Sequence, residues 1–400
     1  MKNFKKLSAL VLAGAMTLSL AACGGGGSAA TPAPKETTPA TTPAETTPAE
    51  TTPVTGGDYK VAMITDYGDI TDQSFNQTTY EACKEYCAAN GLDFSYYKPA
   101  GDSTPERVAM VDAAIADGYN VIVMPGYAFA ETIKETAEIN PDTTFIALDV
   151  GAGDLGDDYT VPSNVYCAVY QEELCGYMAG YAAVKLGYEH LGFLGGMAVP
   201  AVVRYGYGFV QGADAAAVEM GIADKVKVEY VYGNQFFGDN DITAYMDNWY
   251  QKLGVQAVFA CGGGIYSSAA EAAAKVEGAK VIGVDVDQSG IIDGSYGAGM
   301  TVTSAMKGLA ATVKTMLSEV QAGNFANHGG KIETLGLISE DPEENYVQLP
   351  TATTQWGDGF SQADYEALVS KMFKGEVTVS SDISAMPSVS ITVTDSGTIK

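Results

Sequence analysis

Histidine is scarce in this 400-residue chain, and basic side chains are few beside the acids. Its two histidines, His190 and His328, fall at a strand-like start and in a Gly/Asn-rich turn, away from any loop suited to ligand binding. Histidine-driven acid–base chemistry therefore has little to work with. No G-x-S-x-G, H-E-x-x-H or clustered Cys/His set occurs either, so neither a cofactor nor a metal is expected. Lysine and arginine number 22 against 49 acids, a formal charge of −27. A chain this acidic repels nucleic acid and anionic headgroups, which argues against nucleic-acid partners and phosphorylated ligands. No C-x-x-C spacing is present. Beyond the first 22 residues no apolar run reaches the length of a membrane-spanning helix.

The amino terminus supplies a different anchor. Lys2, Lys5 and Lys6 precede the apolar stretch "LSALVLAGAMTLSL", which ends in "LAAC", Leu20 to Cys23. This pattern looks like a bacterial lipoprotein signal over residues 1–22, with cleavage before Cys23 and a diacylglyceryl group on its sulfur. The alternative is an ordinary secretory signal with an incidental cysteine. Loss of the three lysines takes the charge from −27 to −30. Residues 23–57 are rich in Gly, Thr and Pro, lack apolar periodicity and read as a disordered tether. Extended, such a tether reaches up to roughly 100 Å at about 3.1 Å per residue. The expected location is the extracytoplasmic face of the cell membrane, held by lipid alone. Five cysteines remain, an odd number, and Cys83 and Cys87 stand four apart on a helix-like run. Core packing is favoured for that pair over a disulfide or a metal site.

From Tyr59 onward short β-branched runs alternate with longer amphipathic ones. "YKVAMIT", "LDFSYYK", "YNVIVMPG" and "TTFIALDV" read as strands, with helices over 73–89, from Thr104 to about Asp117 and from about Phe129. Thr104 reads as the N-cap of the second helix, followed by Pro105 and Glu106. A second set follows: helices over 171–186, 202–220, 242–253 and 266–276 alternate with "HLGFLGG", "KVKVEYVYG", "VQAVFACGGG" and "KVIGVDVD". A helix over 304–321 and a tail with a last helix over 362–373 complete the chain. Such alternation implies α/β architecture with parallel sheets, here in two similar lobes.

Ligands in open parallel sheets sit beyond the carboxyl ends of the strands. The loops there are "DYGDITDQSFN", "PGYAF" and "DVGAGD" in the first half, and "GGMAVP", "YGNQFFGD", "CGGGIYSS" and "DVDQSG" in the second. Facing each other, they place Asp66, Asp72, Asp149, Asp285 and several aromatics around one cleft. Carboxylates accept paired hydroxyls or amines, and aromatic faces stack on flat rings. A nucleoside offers both. Asp66 and Asp72 have a simpler reading as helix caps. The run from Gly262 to Asp285 invites comparison with a dinucleotide site, but its third glycine is missing and the cleft is full of carboxylates. A carboxylate-based glycoside or nucleoside hydrolase using Asp66, Asp72 and Asp285 is a further alternative, as is a binder of sugars or other small hydroxylated solutes.

Four ordered segments, "ITDYGDITDQSFNQ", "FLGGMAVPAVVRYGYGFVQGA", "VIGVDVDQ" and "TSAMKGL", resemble hallmark segments of the basic membrane protein family over about Lys60 to Gln321. The family comprises lipoproteins similar to a purine nucleoside receptor that feeds an ABC transporter. The resemblance implies a non-enzymatic, monomeric binding protein with nucleoside ligand and permease and ATPase partners. It implies a type I periplasmic-binding-protein fold: two doubly wound parallel-sheet lobes, three crossovers and an interlobe cleft. The lobes would comprise 58–165 plus about 285–335, and about 166–284 plus 336–400. By resemblance Asp66 and Asp72 are pocket aspartates, Phe75 stacks on one face of a purine with Asn76 beside it, and Phe209 covers the other face. Asp285 and Lys307 resemble the sugar-binding pair, while Gly126 and Gly263 fall where backbone approaches ligand. Thr71, where relatives often carry Asn, and the tail from Lys331 depart from the family pattern.

Overall fold

The computed structural model describes residues 59–156 and 158–399. The signal, Cys23 and the tether lie outside the described residues. The first set of elements is β1 (Lys60–Ile64), α1 (Phe75–Asn90), β2 (Asp93–Tyr97), α2 (Thr104–Ala116), β3 (Val121–Pro125), α3 (Ala130–Thr136), β4 (Thr144–Leu148), α4 (Ala152–Leu155) and β5 (Val165–Tyr170). The second begins with α5 (Glu172–Lys185), β6 (His190–Gly195), α6 (Pro200–Met220), β7 (Lys227–Tyr232) and α7 (Asn240–Asn248). It continues through β8 (Ala257–Cys261), α8 (Tyr266–Ala273), β9 (Lys280–Asp285), α9 (Ser289–Tyr296) and β10 (Thr301–Lys307). The chain ends in α10 (Leu309–Gln321), β11 (Lys331–Leu335), β12 (Val347–Gln348), α11 (Gln362–Phe373) and β13 (Thr392–Thr398).

Two sheets result. One has six strands in the order β11-β5-β4-β3-β1-β2, and the other seven in the order β12-β10-β9-β8-β6-β7-β13. Pairing is parallel throughout, except that β12 runs antiparallel to β10. β3 and β8 are buried at every position, as expected of strands covered on both faces.

The chain passes between the sheets after β5, β10 and β11. The passages are bonded to one another, Gln171 N donating to Leu335 O at 2.9 Å and Gly308 N to Tyr346 O at 2.7 Å, while Tyr346 N donates to Gly336 O at 3.1 Å within the third. The crossings fall elsewhere than the sequence boundaries implied. β5, ending at Tyr170, belongs to the first sheet, and residues 285–307 lie with the second. Residues 304–307 are strand rather than helix, because the β-branched run Thr301-Val302-Thr303 carries the extended chain on to Gly308. The cap of α2 is Ser103, one residue earlier than the sequence suggested, its Oγ accepting from Glu106 N.

Helices α5 and α6 make the closest approach in the second lobe. Gly176 and Gly180 on one helix and Gly208 and Gly212 on the other let backbone meet backbone. A Cβ on Gly212 would stand 2.0 Å from Tyr177 O, and one on Gly180 2.1 Å from Phe209 O. This contact fixes the amino-terminal half of α6 against the cleft. Gly212→Ala should therefore cost at least about 1–3 kcal/mol through forced separation of the helices. Chemical denaturation would report it as a lowered midpoint, and an unchanged midpoint would mean that the helices part freely.

Candidate functional site

The loop after β1 is organised by its own aspartates. Asp66 Oδ1 accepts from the backbone N–H of Tyr67 and of Gly68, each at 2.6 Å, which folds the chain back on itself. Gly126, with φ +125°, leaves room for the other oxygen: a Cβ there would lie 3.2 Å from Asp66 Oδ2. Burial pushes the Asp66 carboxyl up from its usual range, against the pull of these donors. Asp72 caps α1. Its Oδ1 accepts from Ser74 N and Gln77 N, and its Oδ2 from Asn76 N. Capping thus takes up the Asp72 carboxylate, the simpler of the two readings open to it, and aims Phe75 and Asn76 at the cleft. Burial raises Asp72 to about 6 despite those N–H donors.

Opposite lies a buried ionic cluster centred on Lys307. Its Nζ stands 2.6 Å from Asp149 Oδ2, 3.5 Å from Glu172 Oε1 and 3.7 Å from Asp285 Oδ1. Arg204 Nε donates to the other Glu172 oxygen at 2.6 Å. Asp149 follows β4 and Asp285 ends β9, the corresponding strands of the two lobes. Both adopt left-handed backbone, φ +59° and +65°, which is costly for a non-glycine residue and turns both carboxylates onto one ammonium. Ser74 Oγ donates to Asp285 Oδ2 at 2.6 Å and Tyr205 Oη to Oδ1 at 3.4 Å, so Asp285 is held from both lobes. Burial alone would lower the Lys307 pKa, but Asp149, Asp285 and Glu172 together outweigh it and hold the ammonium above the ordinary lysine value. Burial pushes Glu172 and Asp285 upward, opposed for Glu172 by Arg204 and Lys307 and for Asp285 chiefly by Lys307. Among the described residues no group of three or more ligating side chains could hold a metal ion.

Between these two walls lies a cavity of about 840 Å³. Asp66, Asp72, Phe75, Asn76, Gly126, Asp149, Gly263, Asp285 and Lys307 all line it. Phe209 does not: it is fully buried between Phe193 and Phe259, with centroids 6.5 and 5.4 Å away. Tyr205, one helical turn earlier, takes the cleft-facing position. The aromatic surface of the second lobe comes instead from Phe236 and Phe237 in "YGNQFFGD", a loop recognised in the sequence without a residue being singled out. Gly196, Gly262 and Gly263 cradle Phe236: a Cβ on Gly196 or Gly262 would lie 2.4 or 2.8 Å from its ring, and one on Gly263 2.8 Å from its carbonyl oxygen. The close approach made by Gly263 is therefore to Phe236. Phe237 is 56% exposed despite lining the cavity, so it stands at the mouth. Lys307 Nζ lies 4.7 Å from the Phe75 ring centroid, which sets the aromatic wall beside the ionic one. Asn76 Oδ1 and Asp149 Oδ1 are buried acceptors without a hydrogen-bond partner among the described residues. Glu172 and Arg204 escaped the sequence reading because both sit on helices rather than in strand-end loops.

The five cysteines from Cys83 to Cys261 are free and buried, Cys83 and Cys87 included, and only Cys261 touches the cavity wall.

A family model for ABC transporter substrate-binding proteins of the PnrA-like kind, Bmp, matches residues 59–351. The ABC transporter nucleoside-binding protein BmpA of Lactococcus lactis subsp. cremoris is 25% identical over 345 residues, 81% of this chain and 90% of that protein. Basic membrane protein B of Borreliella burgdorferi is 26% identical over 308 residues, 73% of this chain and 81% of that protein. Among solved structures, an ABC transporter solute-binding protein from Aeropyrum pernix K1 superposes with a TM-score of 0.63 at 20% identity, covering 81% of this chain and 94% of that one. A transcriptional activator of the comK gene from Bacillus halodurans gives 0.60 at 18%, covering 80% and 99%. At such identities the likeness speaks for fold alone. With the two parallel sheets, it makes this a type I periplasmic-binding-protein fold.

The cluster makes a specific demand on Lys307. In Lys307→Met, Glu172 would keep Arg204 but Asp149 and Asp285 would lose their cation, costing about 3–5 kcal/mol near pH 7.5. Glu172 and Asp285, already raised by burial, would take up protons more readily without the ammonium, so the loss should shrink towards pH 5. Thermal melts of both proteins at the two pH values test this. An equal loss at both would mean that packing, not charge, is what Lys307 supplies.

Proposed function

This chain belongs to the Bmp family of PnrA-like ABC transporter substrate-binding proteins, and on that premise we propose that it closes on a neutral nucleoside, foremost a purine one, and delivers it to permease and ATPase partners. The observation that carries this reading is the adjacency of two unlike walls in one cavity. Phe75 from one lobe and Phe236 and Phe237 from the other suit a flat ring. Asp149, Lys307 and Asp285 suit the hydroxyls of a sugar joined to it. A ligand hydroxyl or amine would also supply donors to the unpartnered oxygens of Asp149 and Asn76, recovering about 1–3 kcal/mol for each buried acceptor. More acids than bases surround the cleft, which disfavours phosphate.

Binding is favoured over turnover. Asp72 is committed to its cap and Asp285 to Ser74 and Tyr205, so neither is left to act as one half of an acid–nucleophile pair. The protein acts as a monomer on the extracytoplasmic face, held by the lipid on Cys23.

Titration calorimetry on the mature chain should give heats with purine nucleosides, weaker binding of the free bases and weaker still of ribose. Asp149→Ala should cost about 1.5–3 kcal/mol of nucleoside affinity, as for hydrogen bonds to a charged group. Equal affinity for base and nucleoside would overturn the sugar assignment, and binding of sugars alone would replace the reading. Separately, Cys23→Ser should move the protein from the membrane to the soluble extracytoplasmic fraction. Retention on the membrane would refute the lipid anchor.

A further inference from the structure

The same cavity has lining that the two walls do not use: Arg204, Val169 of β5, Ile332 and Thr334 of β11, the α4 turn with Asp154, and Ile383. Val169 pairs with Thr334, and a Cβ on Gly151 would lie 3.3 Å from Val169 and 3.5 Å from Asp154, so these side chains form one group. Arg204 and Lys307 grip opposite oxygens of the same Glu172 carboxylate. Only its Nε is engaged; the two Nη groups donate to none of the described residues, although the side chain is largely buried. A guanidinium carries five N–H donors in a fixed plane, and Arg204 lines the cavity with its Nη donors uncommitted to described residues.

Ile383 comes from a segment of unusual attachment. The tail after α11 is tied to α6 by Gln211, which exchanges bonds with Ser380 N and O at 2.9 and 3.0 Å, and by Asp214, whose Oδ1 accepts from Ser390 N and Ile391 N. It then adds β13 beside β7. The family match ends at residue 351, so the tail that brings Ile383 to the cleft lies outside what that family model describes.

Resting on the nucleoside reading, we infer that this lining bounds a second compartment, which receives an uncharged, oxygen-bearing substituent carried on the sugar of the nucleoside. With the base between Phe75 and the Phe236 and Phe237 pair, and the hydroxyls at Asp149 and Lys307, the carbon farthest from the base, C5′, points towards Arg204. Val169, Ile332 and Ile383 give the compartment apolar sides, and the Arg204 Nη groups give it donors for a carbonyl or hydroxyl oxygen. A phosphate is rejected there. Glu172 already neutralises Arg204, and Asp149 and Asp154 leave the surroundings acidic.

The probe is adenosine against its 5′-N-ethylcarboxamide and its 5′-monophosphate, titrated into the full mature chain and into Ile383→Trp. The carboxamide should bind within about threefold of adenosine, and the monophosphate more than about a hundredfold more weakly. In Ile383→Trp the indole fills the compartment, so the carboxamide should weaken more than about tenfold while adenosine keeps its affinity. If adenosine binds and the carboxamide does not, the compartment is refuted and the nucleoside reading stands. Tight binding of the monophosphate would refute the uncharged class. Equal effects of Ile383→Trp on both ligands would place Ile383 elsewhere than in a separate compartment. If no nucleoside binds, both readings fall together.

Discussion

A lysine ammonium removed from water and shared by carboxylates from both lobes is the constraint on which the rest of the site depends. Lys307 ends a strand of the second sheet, Asp149 follows a strand of the first, and Glu172 opens the helix just after the first crossing. An ion pair taken out of water is tolerable only with good geometry and further hydrogen bonds. The surrounding structure provides both: Arg204 behind Glu172, Ser74 and Tyr205 on Asp285, and two aspartates in left-handed backbone. The glycine contact between α5 and α6 belongs to the same arrangement, since it sets the helix end from which Arg204 and Tyr205 reach the cluster.

Much of this was legible in the sequence because strand-end loops in α/β sheets announce themselves by composition. "IALDV" and "IGVDV" repeat in the two halves, and the aspartates they carry prove to be geometrically equivalent. Where a residue's direction depends on helical phase, the sequence was a poorer guide. Tyr205 and Phe209 are one turn apart on α6, both aromatic and both on one stripe of that helix. Only the packing of Phe193 and Phe259 decides that Phe209 is the one drawn inside. Gly262 and Gly263 were expected to bring backbone close to a ligand, whereas what they make room for is Phe236, 26 and 27 positions earlier in the chain. The lobe boundary was misplaced for a similar reason: Thr301 to Lys307 has a mixed pattern, and its pairing with β9 is a long-range fact.

The two lobes repeat a common design with unequal decoration. Gly126 after β3 and Gly262 after β8 both take positive φ, one to admit Asp66 and the other to admit Phe236. One lobe thus presents a carboxylate where its counterpart presents a ring. A symmetric pair of half-sites would suit a symmetric ligand; this pair suits a molecule with two unlike ends.

The passages between the sheets lie side by side and are stitched together by backbone hydrogen bonds from Gln171 and Gly308. Three cross-linked ribbons resist shearing and stretching but yield to a common bend, so they behave as the pin of a door. A surface that spans both lobes would then be set by one coordinate, the angle at that pin.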